Sequence, residues 1–175
     1  MMLSPTISYL MLIFKSVYSN SWSQDGPINA EMTFSTSKTN SEDNVERART
    51  ALDYLQLRVP VPVVIEVLNG TFSESLMIGY QKGGLCSEFN IHNDQFAVRT
   101  TLVSGCLQEL EQLTGCHIYN IAKRVIIVGT LQGAKVARKI VEDCIVHNVP
   151  PTPRIRDIMR INAATQKLET LRYEL

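Results

Sequence analysis

Apolar and polar residues follow two periods along the chain, one typical of strands and one of helices. Alternation across residues 29–37 predicts a half-buried strand. A helical repeat follows and predicts a helix that stops before Pro60. Its apolar positions are Val45, Ala48, Leu52 and Leu55. A shorter helix through Leu68 should end at Asn69 and Gly70. The apolar run at residues 7–14 is too short to span a membrane and predicts a buried helix over 4–16.

The second half of the chain predicts the order strand, lead-in, helix, strand, strand, helix. The apolar and β-branched segment 95–103 is expected to be an extended or irregular lead-in. The next helix should end at Gly115, and two strands should meet in a tight turn at Ala122 and Lys123. The longest amphipathic helix has an apolar stripe of Val136, Ala137, Ile140, Val141, Cys144 and Ile145. A final helix or pair of helices follows Pro151.

Charge is balanced overall but unevenly distributed. The chain has 175 residues, with 17 basic and 17 acidic side chains. Residues 1–98 carry six bases and ten acids, whereas residues 99–175 carry eleven bases and seven acids. A polyanionic partner is therefore expected to meet the C-terminal half. The basic side chains there include Lys123, Arg124, Lys135, Arg138, Lys139, Arg154, Arg156 and Arg160. An ordinary solvated surface is the alternative interpretation.

Candidate catalytic and metal chemistry finds little support in the spacing of the residues. The four cysteines form no C-x-x-C pair, so neither a zinc site nor any other metal site is expected. Four scattered thiols fit a reducing compartment. The segment from Ile126 to Gly133 lacks the G-x-G-x-x-G pattern of a dinucleotide loop. The three histidines have no triad-like spacing. We therefore expect no reaction, cofactor or small-molecule substrate.

An ordered series of motifs runs through LQELEQLTGC at 107–116, IIVG at 126–129, AKVAR at 134–138, VEDC at 141–144 and PRIRDIMR at 153–160. This series resembles the second KH domain of the Krr family of small-subunit ribosome assembly factors. Upstream, residues 32–68 are similar to the family's first, degenerate KH domain. The resemblance implies an α+β fold of tandem KH-like domains of type I, with the order βααββα and a C-terminal helix. It also implies domains at 1–70 and 71–150 and a helical extension at 151–175.

The chain departs from the family at the loop that grips RNA. KH domains clamp four nucleotides with a G-x-x-G loop between two helices. Only Gly105 remains at the matching segment, 101–105, and the basic run before it is reduced to Arg99. The expected RNA-binding residues, which follow from the resemblance, are Arg99, Ser104, Gly105, Gln108, Lys123 and Arg124.

The resemblance implies a non-enzymatic, RNA-associated scaffold of the small-subunit processome. Its expected partners are pre-rRNA and small-subunit assembly proteins, its expected location is the nucleus and nucleolus, and no membrane association is expected. One alternative is the sister tandem-KH factor that accompanies the Nob-type endonuclease. The other is a KH-like protein-binding module that no longer contacts RNA.

Overall fold

The structure is a computed structural model that describes residues 42–173. The helix expected at 4–16 and the strand expected at 29–37 lie outside the described residues. The chain divides into two compact units between Gly70 and Thr71. Each unit is built around its own set of buried apolar residues.

The described part of the first unit, residues 42–70, contains two helices that pack against each other. Helix α1 spans Glu42–Gln56 and helix α2 spans Val61–Leu68. Pro62 lies in the first turn of α2, where its missing N–H would be unpaired anyway. The helix ends at Asn69, and Gly70 has a φ of +96°, as predicted from the Asn-Gly pair. The buried side chains are Ala48, Ala51 and Tyr54 on α1 and Val63, Val64 and Val67 on α2.

The second unit combines a three-stranded sheet with five helices. Its elements are β1 (Phe72–Met77), α3 (Leu85–Glu88), α4 (Asn93–Gly105), α5 (Leu107–Thr114), β2 (His117–Ile121), β3 (Arg124–Gly129), α6 (Leu131–His147) and α7 (Pro151–Tyr173). The strand order is β1-β3-β2, and both pairings are antiparallel. The order βααββα that the resemblance implies is therefore confirmed, as β1, α4, α5, β2, β3 and α6, with the short helix α3 between β1 and α4.

The core of this unit forms where α4, α5 and α6 meet one face of the sheet. Strand β3 is central, and all four of its residues from Val125 to Val128 are inaccessible to solvent. Such a continuous apolar run is typical of a strand that is buried on both faces. Val125 and Ile127 join the core beneath the helices. The stripe predicted on α6 supplies five buried residues, Ala137, Ile140, Val141, Cys144 and Ile145, whereas Val136, predicted in the same stripe, is 38% exposed.

The lead-in expected at 95–103 is wrong, because these residues belong to helix α4. The run of β-branched residues lowers helix propensity and suggested extended chain. Phe96 and Val103, seven residues apart, nevertheless lie on one helical face and pack into the core. Tertiary packing thus overrides local propensity here.

The final segment is one helix, α7, which begins at Pro151. Proline suits the first turn of a helix, so Pro151 is the first residue of this element instead of the residue before it. Helix α6 itself ends at Asn148, which adopts a left-handed conformation. Among the described residues, no helix is long and apolar enough to cross a membrane.

Candidate nucleic-acid interface

One end of the sheet is formed by the β2–β3 turn and the loop that follows β1. The carbonyl oxygen of Lys123 accepts hydrogen bonds from the Ile78 N–H at 3.0 Å and from Gln81 Nε2 at 3.3 Å. Lys123 Nζ lies 5.9 Å from the centre of the Tyr80 ring. Tyr80 in turn packs edge-to-face on Phe96, with ring centres 5.6 Å apart. The turn is therefore fixed in place, and it presents an exposed lysine.

The turn itself uses backbone angles that suit a two-residue hairpin. Ala122 and Lys123 have φ values of +49° and +66°. Positive φ at both central residues is the geometry whose twist matches that of the flanking strands. Asn-Gly is the favoured pair in such turns, so alanine and lysine adopt this conformation at a cost in free energy. The tight turn predicted from the sequence is confirmed.

The junction between α4 and α5 contains a single residue. Helix α4 ends at Gly105, Cys106 has a φ of −114°, and α5 begins at Leu107. A four-residue clamp has no room between the two helices. Gly105 does not have a positive φ, and a Cβ added there would meet no atom within 4 Å. The glycine is therefore not required by the local backbone conformation.

The helical junction and the β2–β3 turn lie at the same end of the sheet. Ser104 Oγ accepts a hydrogen bond from Asn120 Nδ2 at 2.8 Å. Asn120 stands two residues before Ala122 in the chain, so Ser104 and Gly105 approach the strand end that supports the turn. Three of the predicted RNA-binding residues, Ser104, Gly105 and Lys123, are thus exposed in the same region.

The other two predicted residues near this region differ in exposure, since Gln108 is exposed and Arg124 is half-buried. Gln108 is exposed in the first turn of α5, next to Glu109. The Glu109 carboxylate lies 3.7 Å from Arg156 on α7. This arginine partly neutralises the negative charge of Glu109 near the start of α5. Arg124 is half-buried, is paired in register with Met77 and Ile121, and takes part in further interactions.

The side chain of Arg99 makes hydrogen bonds within the protein. Its guanidinium donates to the carbonyl oxygens of Ile145 at 2.6 Å and Val146 at 3.4 Å, near the end of α6. It also donates to Gln95 Oε1 at 3.2 Å. The last carbonyls of a helix lack partners within the helix, and a cation there is favourable. The position predicted as a remnant of the family's basic run is a half-buried structural contact between α4 and α6.

Most of the arginines in the predicted basic cluster are ion-paired. Arg138 pairs with Glu74 and Glu142, and Arg154 pairs with Asp143. Arg156 and Arg160 have acidic neighbours at 3.7 Å, Glu109 and Asp157 respectively. Within residues 42–173, no ion pair is found for Lys123, Lys135 or Lys139, all of which are exposed. Within this basic cluster, the charge available to a polyanion is therefore concentrated on these three lysines.

The four cysteines are buried free thiols. Burial raises the pKa of Cys86 and Cys144, and it raises that of Cys106 to about 11. The described part of the chain contains no group of three or more side chains that could hold a metal ion. A high thiol pKa disfavours both nucleophilic and metal-binding roles for Cys106.

Sequence reasoning missed the aromatic support of the candidate site. Tyr80 and Phe96 brace the lysine turn, and Asn120 links it to the helical junction. Tyr80 lies in a Gly-rich loop without periodicity, and Phe96 fell in the segment expected to be extended. Only the three-dimensional pairing of β1 with β3 brings these residues together.

Comparison with known proteins supports the KH fold. Residues 92–166 match the family model described as KRR1 small subunit processome component, second KH domain. A chain in the crystal structure of an a/eIF2alpha–aDim2p–rRNA complex from Pyrococcus horikoshii OT3 is similar, with a TM-score of 0.55 and 18% identity. That match covers 74% of this chain and 69% of the other.

Two further solved structures share the fold. A protein of unknown function from Aeropyrum pernix has a TM-score of 0.52 and 15% identity over 76% of this chain and 69% of its own. Dim2p from Pyrococcus horikoshii OT3 has a TM-score of 0.50 and 17% identity, over 71% and 72%. The α+β, KH-type fold and the resemblance to the Krr family, carried by residues 92–166, are therefore confirmed.

Proposed function

We propose, from the premise that residues 92–166 form a KH domain of the KRR1 small-subunit processome type, that this protein is an RNA-associated ribosome assembly factor. Its work is that of a scaffold in pre-rRNA processing and small-subunit assembly, and no reaction is assigned to it. Its partners are pre-rRNA and small-subunit assembly proteins, and its location is the nucleolus of the nucleus.

The match to the second KH domain is the observation that carries this proposal, and the charge distribution supports it. Lys123 projects from a braced turn beside Ser104 and Gly105. Lys135 and Lys139 lie on the exposed side of α6. Cations that are not neutralised within the protein can displace counterions from a phosphate backbone. We therefore assign RNA contact to the phosphate backbone, with the six predicted residues contributing unequally.

Among the six predicted residues, Lys123 contributes most to RNA binding and Arg99 contributes least. Lys123 is exposed and has no ion pair in the described part of the chain, whereas the Arg99 guanidinium is occupied by carbonyl oxygens of α6. Ser104, Gly105 and Gln108 offer polar or backbone groups at the helical junction. Arg124 supports the turn from the start of β3.

The two-domain organisation is part of the same proposal. Residues 1–70 are assigned to a degenerate first KH-like domain, 71–150 to the second KH domain and 151–175 to a helical extension. The two helices of the first unit, α1 and α2, and the division after Gly70 are compatible with this assignment.

A second candidate function is a KH-like module that binds protein and no longer contacts RNA. The single-residue junction at Cys106 favours it, because that junction leaves no loop to clamp four nucleotides. RNA contact through lysines does not need such a loop, so we retain the assembly role as the main proposal.

In-cell crosslinking of the full chain, followed by sequencing of the bound RNA, tests the assembly role. We expect fragments of small-subunit pre-rRNA, and fewer of them for Lys123→Ala than for an Arg156→Gln control that changes the net charge equally. Recovery of mRNA fragments without pre-rRNA would contradict the proposal. Recovery of no RNA, together with co-purifying assembly proteins, would favour the protein-binding module.

A further inference from the structure

Among the described side chains of helix α7, those that pack against the second unit lie in its first turns. Pro151 and Ile155 are buried, and Ile158 and Met159 pack against the core. Every side chain described after Met159 is exposed. The second half of the helix therefore extends along solvent, without support from the described residues.

This exposed half carries an apolar stripe on the side that faces away from the domain. Ile161 is 64% exposed and Leu168 is 68% exposed, with the exposed Ala164 between them. At about 100° per residue, the three lie roughly 120–180° around the helix axis from Ile155. Ile155 marks the side that docks onto the core, so straight continuation of the helix cannot bring the stripe into contact with it.

Basic side chains border the stripe on both sides. At the same angular increment, Arg160 and Lys167 lie along one edge and Arg172 along the other. Arg160 has Asp157 at 3.7 Å, whereas none of the ion pairs found among the described side chains involves Lys167 or Arg172. The apolar stripe with charged edges is the pattern of a helix that receives another helix, and its edges select for negative charge.

We propose that the exposed half of α7 is a docking surface for an acidic amphipathic helix of a partner protein. The partner's apolar side chains would cover Ile161 and Leu168, and its glutamates or aspartates would lie beside Lys167 and Arg172. The inference does not rest on RNA binding, because the lysines assigned to RNA lie on the β2–β3 turn and on α6.

Two other occupants fit less well. A second copy of this chain would place basic edges against basic edges in either the parallel or the antiparallel arrangement, and like charges there are unfavourable. A membrane surface would need a wider apolar face, because interfacial binding scales with buried apolar area and two large side chains supply little.

The probe is a synthetic helix of about three heptads with leucines along its seam and glutamates at its edges. A second peptide replaces the edge glutamates with lysines. Binding of each labelled peptide to the full chain is measured by fluorescence anisotropy. We expect the acidic peptide to bind and the basic peptide to bind at least tenfold more weakly.

Variants of the full chain locate the contact. The double variant Ile161→Ser and Leu168→Ser should bind the acidic peptide at least tenfold more weakly than the parent chain. The control Leu131→Ser should bind it as the parent chain does, because it removes a leucine that is 46% exposed but lies on α6, outside the stripe. Lys167→Glu with Arg172→Glu should reverse the preference toward the basic peptide. Circular dichroism and RNA binding should stay as in the parent chain, which separates this result from failure of the assembly role.

The proposal would be overturned by no binding of the acidic peptide, by equal binding of both peptides, by binding that the stripe variants leave unchanged, or by a preference for anionic phosphatidylserine vesicles over the peptide. Sedimentation of the full chain provides the remaining check. A dimer that disappears in the Ile161→Ser and Leu168→Ser variant would identify a second copy as the occupant and would also overturn it.

Discussion

The guanidinium of Arg99 donates a hydrogen bond of 2.6 Å to the carbonyl oxygen of Ile145. This bond ties α4 to the last turn of α6, where backbone carbonyls lack helical partners. The Arg99 carbonyl oxygen completes a reciprocal contact, since it accepts from Cys144 Sγ at 3.7 Å. A residue whose counterpart in the resemblance belongs to an RNA-binding run thus holds two helices of the domain together.

Arg99→Ala should lower the free energy of unfolding by about 1–3 kcal/mol, because the variant removes a charged donor to partly buried carbonyl oxygens. Arg99→Lys should recover part of the lost stability, since lysine keeps the positive charge but lacks the planar guanidinium that donates to several acceptors at once. Urea unfolding measures both variants. Weakened RNA binding in Arg99→Ala at unchanged stability would instead show that the side chain meets the ligand.

Gly133 and Gly105 provide a matched pair for testing the packing of the domain. A Cβ at Gly133 would clash with the Thr114 carbonyl oxygen and lie 2.7 Å from Cys116 Sγ, where α6 meets the end of α5. A Cβ at Gly105 would point into open space. Gly133→Ala should therefore destabilise the fold by about 1–3 kcal/mol. Gly105→Ala should stabilise it by roughly 0.5–1 kcal/mol, since alanine favours the helix.

Thermal or urea unfolding measures the stabilities of the two glycine variants relative to the parent chain. Equal stabilities for Gly133→Ala and the parent chain would show that α6 does not approach the end of α5 as the structure has it. The Gly105→Ala variant also tests RNA binding, because its added methyl group would hinder close approach of a backbone phosphate without disturbing the fold.

The sequence predicted the elements whose periodicity and turn signals agree. Helix α6 has a one-sided apolar stripe, and β3 is a short apolar run after a tight turn, so both were predicted correctly. Segment 95–103 was mispredicted, because its β-branched residues favour extended chain locally. Only the burial of Phe96 and Val103 against distant elements makes it helical.

The candidate site was less predictable than the fold. The exposed Lys123 could be identified from the turn pattern alone, because two-residue hairpin turns project their side chains into solvent. The role of Arg99 depends on a carbonyl 46 residues away, and the neutralisation of Arg138 depends on Glu74, 64 residues away. Spacing along the chain carries no signal for interactions across that separation.

Because the pKa of Cys106 is raised, the free energy of unfolding should decrease as the pH rises through the alkaline range. Burial, with smaller contributions from Cys144 and Glu109, raises it from 9.0 to about 11. Below pH 9 the thiol is protonated in both states, so stability is unaffected. Between pH 9 and 11 the unfolded chain loses the proton and the folded chain keeps it, which favours unfolding by about 1.4 kcal/mol per pH unit.

Urea unfolding at pH 8 and pH 10 measures this loss of stability. The Cys106→Ala variant is the reference, because it shares every other titrating group. We expect the parent chain to lose more stability than the variant over this interval. An identical pH dependence in the two proteins would contradict a buried, protonated thiol at position 106.

Ala122 offers a test of the hairpin turn without changing its charge. Its φ of +49° costs an alanine about 1–2 kcal/mol relative to glycine. Ala122→Gly should therefore raise the free energy of unfolding by roughly 0.5–1 kcal/mol, after the larger entropy of glycine in the unfolded chain is allowed for. Chemical unfolding measures the change. A decrease in stability would show that the turn does not have positive φ at this residue.

The salt dependence of binding of the full chain to single-stranded RNA tests the central claim most directly, namely that lysines replace the missing clamp. The slope of log K against log salt should fall by about 0.7 for each phosphate that the protein no longer neutralises. We predict that fall for Lys123→Ala and none for the equally charged control Arg156→Gln. RNA binding too weak to detect, or a slope that Lys123→Ala leaves unchanged, would contradict this claim.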